Sequence, residues 1–570
     1  PNTSFEKYTQ IRDNLQLQWR TTEHLRINGS IGLTKQINRD EAFTSAQSTR
    51  FDGITNAAEK GSYVISNGSN MDIEGNVRLD YSNLFFDHLS FSMGIGSELT
   101  TTKTQEDGYT ATGFVNDKLT YPSYAQQFQK NGKPSGYFDK GRTIGFFGNI
   151  NIGWDNRYIA DFSLRTDGSS RFGRDNQFAP FWSVGLAWNV NREKFWTGTG
   201  SMKIRASVGS VGSSKFSADQ ALTRFVYNSD GEYNGIYGAE LLQYGNTALK
   251  WQNTLKYNLG LDMTVWKNII TLNFDAYLER TENLLMDVDV APSTGFTSYK
   301  ENMGSLDNKG IEARLRLNLL RGDDKGWNWN VTLSASHERD KIRKLSNAMK
   351  AMNAEAMKIE NNTDSTSVFT MYEVGRSQKA LMLVKSLGID PATGNELYLK
   401  RDGSTTFDYD PNDRVEVGNT TPKIQGFINT NLSWNHIELY MAFNYEYGAK
   451  IYNSTLAQKV EGASPYQNAD KRVLYDRWKK PGDIAMFRRI DDQGPVYQSS
   501  RLVQKNNYIR MSSLSLTYDI PREKLARTFI ERCKFTFSMT DVFRISSIKQ
   551  ERGTSYPFAW TYSFGVNLTF

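Results

Sequence analysis

Residues 560–570 alternate without a break. Trp560, Tyr562, Phe564, Val566, Leu568 and Phe570 fall on one parity; Thr561, Ser563, Gly565, Asn567 and Thr569 fall on the other. Successive side chains of a strand point to opposite faces, so this segment is a strand with one apolar and one polar face. Thr254–Val265 repeats the pattern, with Leu255, Tyr257, Leu259, Leu261, Met263 and Val265 opposed to Thr254, Lys256, Asn258, Gly260, Asp262 and Thr264. So do Ile270–Glu279 and Ile311–Leu319, where Glu312, Arg314, Arg316 and Asn318 share the polar face. Strands of soluble sandwiches alternate too, but they average about five or six residues. Charged groups along one face of a long strand need water there, while Leu, Phe and Tyr along the other need an apolar medium. An all-β chain folded as a transmembrane antiparallel β-barrel with an aqueous interior meets both demands.

Composition agrees once the alternation is taken into account. Only 38% of the 570 residues are hydrophobic and mean hydropathy is −0.58. No apolar run approaches the roughly 18–20 residues of a membrane-spanning helix, which excludes helical spans and leaves strands untouched. Aromatics at 13% supply apolar area that a disordered chain lacks. The lone Cys533 excludes an intrachain disulfide or a thiolate cluster. The 68 basic and 62 acidic residues interleave, without the clustered basic face that nucleic acid requires. A length-based prior of three or four domains gives way to one oversized sheet spanning residues 1–570.

About seventeen strands are expected, near 5–23, 24–38, 69–87, 88–103, 142–157, 158–173, 181–196, 202–214, 253–268, 269–285, 309–321, 327–342, 423–435, 437–453, 508–520, 533–546 and 560–570. Tight turns at Glu23/His24, Asp87/His88, 266–268, 322–326 and Asn435/His436 oppose long loops near 39–68, 104–141, 215–252, 286–308, 343–422 and 454–507. Short turns on one side and long extracellular loops on the other are the outer-membrane asymmetry. Aromatics gather at strand ends (Trp19, Phe85, Phe86, Trp154, Trp188, Trp266, Trp327, Trp329 and Trp434), as an interfacial girdle would have them. Single-chain bacterial barrels have an even strand number, so an odd count suggests the later part of a larger barrel. The opening Pro1-Asn2-Thr3 carries no signal peptide and reads as internal.

Five segments carry a family resemblance. They are Thr166-Asp167-Gly168-Ser169-Ser170-Arg171-Phe172-Gly173; Leu249-Lys250-Trp251 followed by Tyr257-Asn258-Leu259-Gly260-Leu261-Asp262; Asn302-Met303-Gly304-Ser305 with Asn308-Lys309-Gly310-Ile311-Glu312; Ser386-Leu387-Gly388-Ile389-Asp390-Pro391 with Thr393-Gly394, Gly418-Asn419 and Pro422-Lys423; and Asn507-Tyr508-Ile509-Arg510. In order and spacing the chain resembles the C-terminal barrel portion of SusC-like (SusC/RagA-type) TonB-dependent transporters of the Bacteroidota outer membrane. The resemblance implies a 22-stranded barrel whose plug, TonB-box segment and first strands lie upstream of the region matched here. It implies import of oligosaccharides or oligopeptides, with glycans the commoner cargo. The implied partners are a SusD-like surface lipoprotein lid, the TonB complex through the N-terminal region, the lipid membrane, and a second copy in a dimer of such pairs.

Individual candidates have bland readings beside the functional ones. Phe570 is a lipid-facing girdle residue by position; the resemblance makes it the assembly signal read by the insertion machinery. Asp402, Asp408, Asp410 and Asp413 could hold calcium, but they lack the EF-hand spacing and its glycine, and a polar turn explains them. Asp390-Pro391-Ala392-Thr393-Gly394 reads as a Pro/Gly turn before it reads as a ligand site. Gly168 allows a tight turn, and Asp167 could pair with Arg171. Tyr227, Tyr233, Tyr237, Tyr244, Tyr398 and Tyr409 lie in long loops, where aromatic faces suit sugars and peptides alike. No individual substrate-binding residue is assigned.

Catalysis finds no support: His24, His88, His337 and His436 are dispersed, and no zinc helix, nucleophile elbow or Walker loop occurs. No cofactor or metal is called for. The loops 215–252, 343–422 and 454–507 are the candidates for contact with the lid. A passive porin-like or structural barrel and a soluble all-β glycan-binding or hydrolytic protein are the alternatives.

Overall fold

The computed structural model describes the chain except residues 1, 130–131, 174–175, 214–222, 235, 244, 247, 290–297, 323–325, 346–348, 351–352, 355–370, 464–469, 493 and 550–559. The strands in chain order are β1 (Thr3–Arg20), β2 (Leu25–Thr44), β3 (Ser62–Phe85), β4 (Leu89–Thr112), β5 (Gln127–Phe128), β6 (Ser135–Trp154), β7 (Tyr158–Ser169), β8 (Phe178–Asn189), β9 (Gly200–Ser213), β10 (Arg224–Tyr233), β11 (Ile236–Gln243) and β12 (Gln252–Val265). They continue as β13 (Ile270–Asp289), β14 (Ser298–Arg321), β15 (Trp327–Lys344), β16 (Ala380–Ile389), β17 (Glu396–Leu399), β18 (Thr405–Thr406), β19 (Arg414–Asn419), β20 (Ile424–Trp434), β21 (Ile437–Tyr452), β22 (Val503–Asp519), β23 (Arg532–Ser546) and β24 (Thr561–Thr569). Among the described residues, eighteen of these strands belong to one sheet. Apart from the two-residue β5, its members correspond one for one to the seventeen expected strands. β10 and β11 form a separate hairpin, and β16–β19 a four-stranded sheet ordered β18-β17-β16-β19.

Two compact units are distinguished, residues 1–185, 209–253 and 283–302, and residues 186–208, 254–282 and 303–570. In the first, β1 to β4, β6 and β7 pair antiparallel in chain order. The hairpin turns use left-handed backbone: Phe86 and Asp87 have φ of 55° and 59° at an expected turn, and Asp155 and Asn156 of 52° and 54° at the next. β3 and β4 are 24 residues each, against the roughly 9–11 a tilted strand needs to cross a bilayer. The strands therefore run far into the expected loops 39–68 and 104–141. Beyond lipid a strand needs no apolar face. The alternation fades at Gly68-Ser69-Asn70 although the pairing continues, with Ser69 opposite Gln105.

In the second unit, β14, β15 and β20 to β24 pair antiparallel in the same manner. Trp327 lies opposite Trp434 in the register, their rings stacked with centroids 5.3 Å apart, at the end where the tight Asn435–His436 turn falls. Apolar residues are fully buried mainly where loops pack on strands. In the first unit Phe43, Tyr63, Ile65, Ala111 and Phe114 form one cluster. In the second unit Leu456, Ala457, Val460, Phe487, Val496 and Leu502 form another. The strands themselves keep apolar side chains exposed, among them Leu259, Phe537, Tyr562, Phe564 and Val566. A face of that kind is what a lipid-bathed wall requires.

Candidate functional site

Three of the motif segments meet in the first unit. Phe172 is buried and stacks on Trp251 with centroids 4.3 Å apart and planes 25° from parallel; Leu249 completes the cluster, with Ala179 and Phe181 against it. The Trp251 indole donates to the Gln177 carbonyl at 3.2 Å. The Asn302 side chain accepts from the Lys250 amide at 2.6 Å and donates to the Lys250 carbonyl at 2.7 Å. Asn302 thus ties the third motif to the second. A Cβ on Gly168 would lie 2.5 Å from the Phe178 ring, so glycine is required for that ring to close over the turn. The expected Asp167–Arg171 pair is corrected. Asp167 takes Arg165, two residues back on the same face of β7, at 2.6 Å, and Arg171 faces Asp139 at 4.0 Å. The i, i+2 geometry of a strand places Arg165 beside Asp167, whereas Arg171 lies past the strand end.

The polar faces of both units carry ion-paired rungs. In the first, Arg165 also reaches Glu98 at 3.0 Å, and Asp80 accepts from Asn28 at 2.8 Å and pairs with Arg78 at 2.5 Å. In the second, Arg205 of β9 spans Asp262 of β12 at 3.0 Å and Asp275 of β13 at 2.8 Å. Lys256 pairs with Glu279 at 2.7 Å, and Arg280 with Asp307 at 3.1 Å. A Cβ on Gly260 would fall 2.5 Å from the Arg205 guanidinium carbon, so this glycine lets the long side chain lie flat along the wall. Further along the same face lies a cleft of about 720 Å³ lined by Asp275, Glu312, Arg314, Asn444, Glu446 and Tyr508 among others. The Tyr508 hydroxyl donates to Glu446 at 2.7 Å.

The expected loops 343–422 and 454–507 fold together in the second unit. Glu396 on β17 accepts from Ser499 at 2.5 Å and from Arg501 at 2.9 Å. Arg501 also pairs with Glu461 at 2.6 Å, on the π-helical turn Leu456–Glu461, and Glu461 takes Arg488 at 2.8 Å. The side chains of Glu396, Glu461 and Arg501 are only 3%, 1% and 5% exposed. Burial alone would disfavour each ion, yet Arg501 holds the Glu396 carboxyl below the ordinary carboxylate range, and the two carboxylates hold Arg501 above the ordinary guanidinium value. This network is absent from the sequence reading. Its one signal was a Glu at the head of the short apolar run Glu396-Leu397-Tyr398-Leu399.

The candidates of the loops resolve as follows. Asp390 accepts from the Ala392 and Thr393 amides and from the Thr393 hydroxyl, the last at 2.7 Å. Those hydrogen bonds, the Thr393 side chain foremost, lower its pKa. The turn docks on Trp478, whose indole donates to the Pro391 carbonyl at 2.9 Å. Asp402 accepts from Ser404 and Asp410 from the Asn412 amide, each capping a turn, and Asp413 accepts from the Arg401 amide, joining two segments of the loop. No group of three metal-ligating residues occurs among the described residues. Tyr398 is buried, Tyr409 stacks on Tyr497 with centroids 4.4 Å apart, and both serve the packing of the loop body. The side chains of Tyr227, Tyr233, Tyr237 and Tyr244 lie outside the described residues. Phe570 is exposed and stacks on Phe529, with centroids 5.5 Å apart.

The chain is similar in sequence and in fold to known proteins. The profile of the family described as "TonB dependent receptor-like, beta-barrel" matches residues 1–353. TonB-dependent receptor P3 of Formosa agariphila is 26% identical over 513 residues, covering 82% of this chain and 50% of the relative. TonB-dependent receptor SusC of Bacteroides thetaiotaomicron is 30% identical over 236 residues, covering 40% of this chain and 23% of its own length. The solved structure of the RagAB peptide transporter superposes with a TM-score of 0.86 at 21% identity, covering all of this chain and 62% of that one. The chain spans about half the length, or less, of the curated relatives it matches.

Proposed function

Because this chain belongs to the TonB-dependent receptor-like β-barrel family, a family of outer-membrane transporters and not of enzymes, we propose that residues 1–570 form the C-terminal part of a 22-stranded barrel that imports oligosaccharides or oligopeptides. The observation that carries this reading is the division of the strands into an apolar face, as in Leu259, Phe537 and Phe564, and a polar face bearing rungs such as Asp262–Arg205–Asp275. The first meets lipid and the second lines the aqueous path. No ATP is available at the outer membrane, so energy comes from the inner-membrane gradient through TonB, which engages the part of the protein upstream of this region. Phe570 ends the last strand as the signal for barrel insertion.

A SusD-like surface lipoprotein closes the outer mouth, and two such pairs associate. The loop body joining residues 380–419 and 453–502 supports this assignment. It is held rigid by buried ion pairs, and it keeps Leu474, Tyr475 and Ile484 exposed, Ile484 at 95%. Exposed apolar side chains on a preorganised surface suit a protein partner. Affinity purification of the whole protein from its native membrane tests the reading. Copurification of a surface lipoprotein at one to one, weakened by Ile484→Asp, is expected; purification without a lipoprotein counts against it.

A further inference from the structure

The apolar face of the first unit ends in a row of cations. Leu33, Leu99 and Ile144 are exposed members of that face. Two to four residues farther along the same parity of each strand, Lys35 of β2 lies opposite Met71 of β3, Met71 opposite Lys103 of β4, and Lys103 opposite Lys140 of β6. Residues paired in register share a face. Arg142 stands between Lys140 and Ile144 on the same parity of β6. All four cations are exposed, and none forms a salt bridge among the described residues. Asp13, opposite Leu33 on β1, shares this stretch of the face without pairing with Lys35. The next row outward, Ile37, Ser69, Gln105 and Phe138, carries no charge, and the Lys103 ammonium lies 5.6 Å from the Phe138 ring centroid. Like charges directly opposite in a sheet repel, so Lys103 and Lys140 side by side call for an anion.

Their depth says where that anion comes from. Met71 is fourteen residues from Phe85, where the tight turn begins. At about 3.3 Å per residue and a tilt near 45°, the row stands about 33 Å from the turn along the membrane normal, just past a hydrocarbon core roughly 30 Å thick. Beneath it on the same face is an apolar groove of about 630 Å³ lined by Val77, Leu79, Ile95, Phe146 and Leu164. The groove opens where Ser97 lies opposite Phe146 and Gly148 opposite Ile95, small side chains between large ones. Phe146 is six residues from Lys140 on β6, which puts the groove about 14 Å below the cations, within the outer half of the core.

We propose that this face holds one phosphorylated lipid of the outer leaflet, its phosphate on Lys103, Lys140 and Arg142 and an acyl chain in the groove. Lys35, two strands and about 10 Å from Lys103, takes a second anionic group of the same headgroup. A free anion would have no use for the groove, and an uncharged lipid none for the cations.

The test uses the whole protein purified in detergent and native mass spectrometry, with bisphosphorylated lipid A as the probe and its dephosphorylated form and inorganic phosphate as controls. The phosphorylated lipid is expected to bind at least tenfold more tightly than the dephosphorylated one. Lys103→Gln/Lys140→Gln is expected to bring that preference to within about twofold, whereas Lys118→Gln/Lys133→Gln, which removes as much charge from exposed loop positions, leaves it intact. Gly148→Leu fills the groove, where a Cβ meets Ile95 at an ordinary 3.7 Å, and is expected to weaken lipid binding several-fold. Unchanged heat-modifiable gel mobility verifies the fold of each variant. Equal binding of the two lipids, a preference that survives Lys103→Gln/Lys140→Gln, or full displacement of the lipid by millimolar inorganic phosphate overturns the assignment. Failure of the transport reading is distinguishable, because the lipid preference would stand while cells showed no energy-dependent uptake.

Discussion

Replacing Arg501 by Met removes the cation between Glu396 and Glu461, together with its hydrogen bond to the Met486 carbonyl at 2.7 Å. Both carboxylates are almost wholly buried. Glu461 keeps Arg488 at 2.8 Å, whereas Glu396 is left with neutral hydroxyls, those of Ser499 and Ser386. Removing one partner of a buried pair costs about 3–5 kcal/mol, most of it the burden of the charge left behind. The strands are independent of this network, so the loss falls on the loop body alone. Amide exchange at β16, β17 and residues 456–502 should accelerate together by about a hundred- to a few-thousand-fold, while β20 to β23 exchange as before. Glu396→Gln in the Arg501→Met background should recover much of the loss, because it removes the orphaned charge. The pH dependence follows from the depressed Glu396 pKa. A carboxylate depressed on folding contributes stability above its unfolded pKa, about 4.3, and that contribution is lost as pH falls through the lower folded value. The loop body should loosen only below about pH 4. Unchanged exchange in Arg501→Met, or acceleration confined to one of the two loops, would refute the idea that this network joins them.

Trp251→Ala should destabilise the junction of the three motifs by about 3–5 kcal/mol, the usual cost of emptying a buried aromatic site, read as accelerated proteolysis near residues 170–180 and 249–252 with the remaining strands protected. Gly168→Val should lower the yield of folded barrel on heat-modifiability gels, because its side chain meets the Phe178 ring; unchanged yield would show that the turn can yield. Phe570→Ala should reduce membrane-inserted protein several-fold in cells while the detergent-refolded chain keeps its mobility, and equal loss in both would make Phe570 a packing residue.

The strands were legible because lipid and water impose opposite demands on alternate residues. Asn435, Trp266 and Asp87 were legible as turns because apolar alternation stops there, and each has positive φ. The alternation lost the outer parts of β3 and β4, where both faces meet water and backbone pairing alone sustains the strand. Proximity among motifs was hidden, since Asn302 and Lys250 are 52 residues apart. The same holds for the loop body, where Glu396 and Arg501 are separated by 105 residues. Asp167 misled for a local reason: its partner lay two residues back on one strand face and not four ahead in the turn.

Energy-dependent import of a nutrient is the central claim, and uptake by living cells tests it most directly. Cells expressing the whole protein should accumulate a fluorescent oligopeptide or oligosaccharide, and deleting TonB or dissipating the proton gradient should abolish the accumulation. Accumulation that persists without TonB would contradict the account and leave a passive barrel.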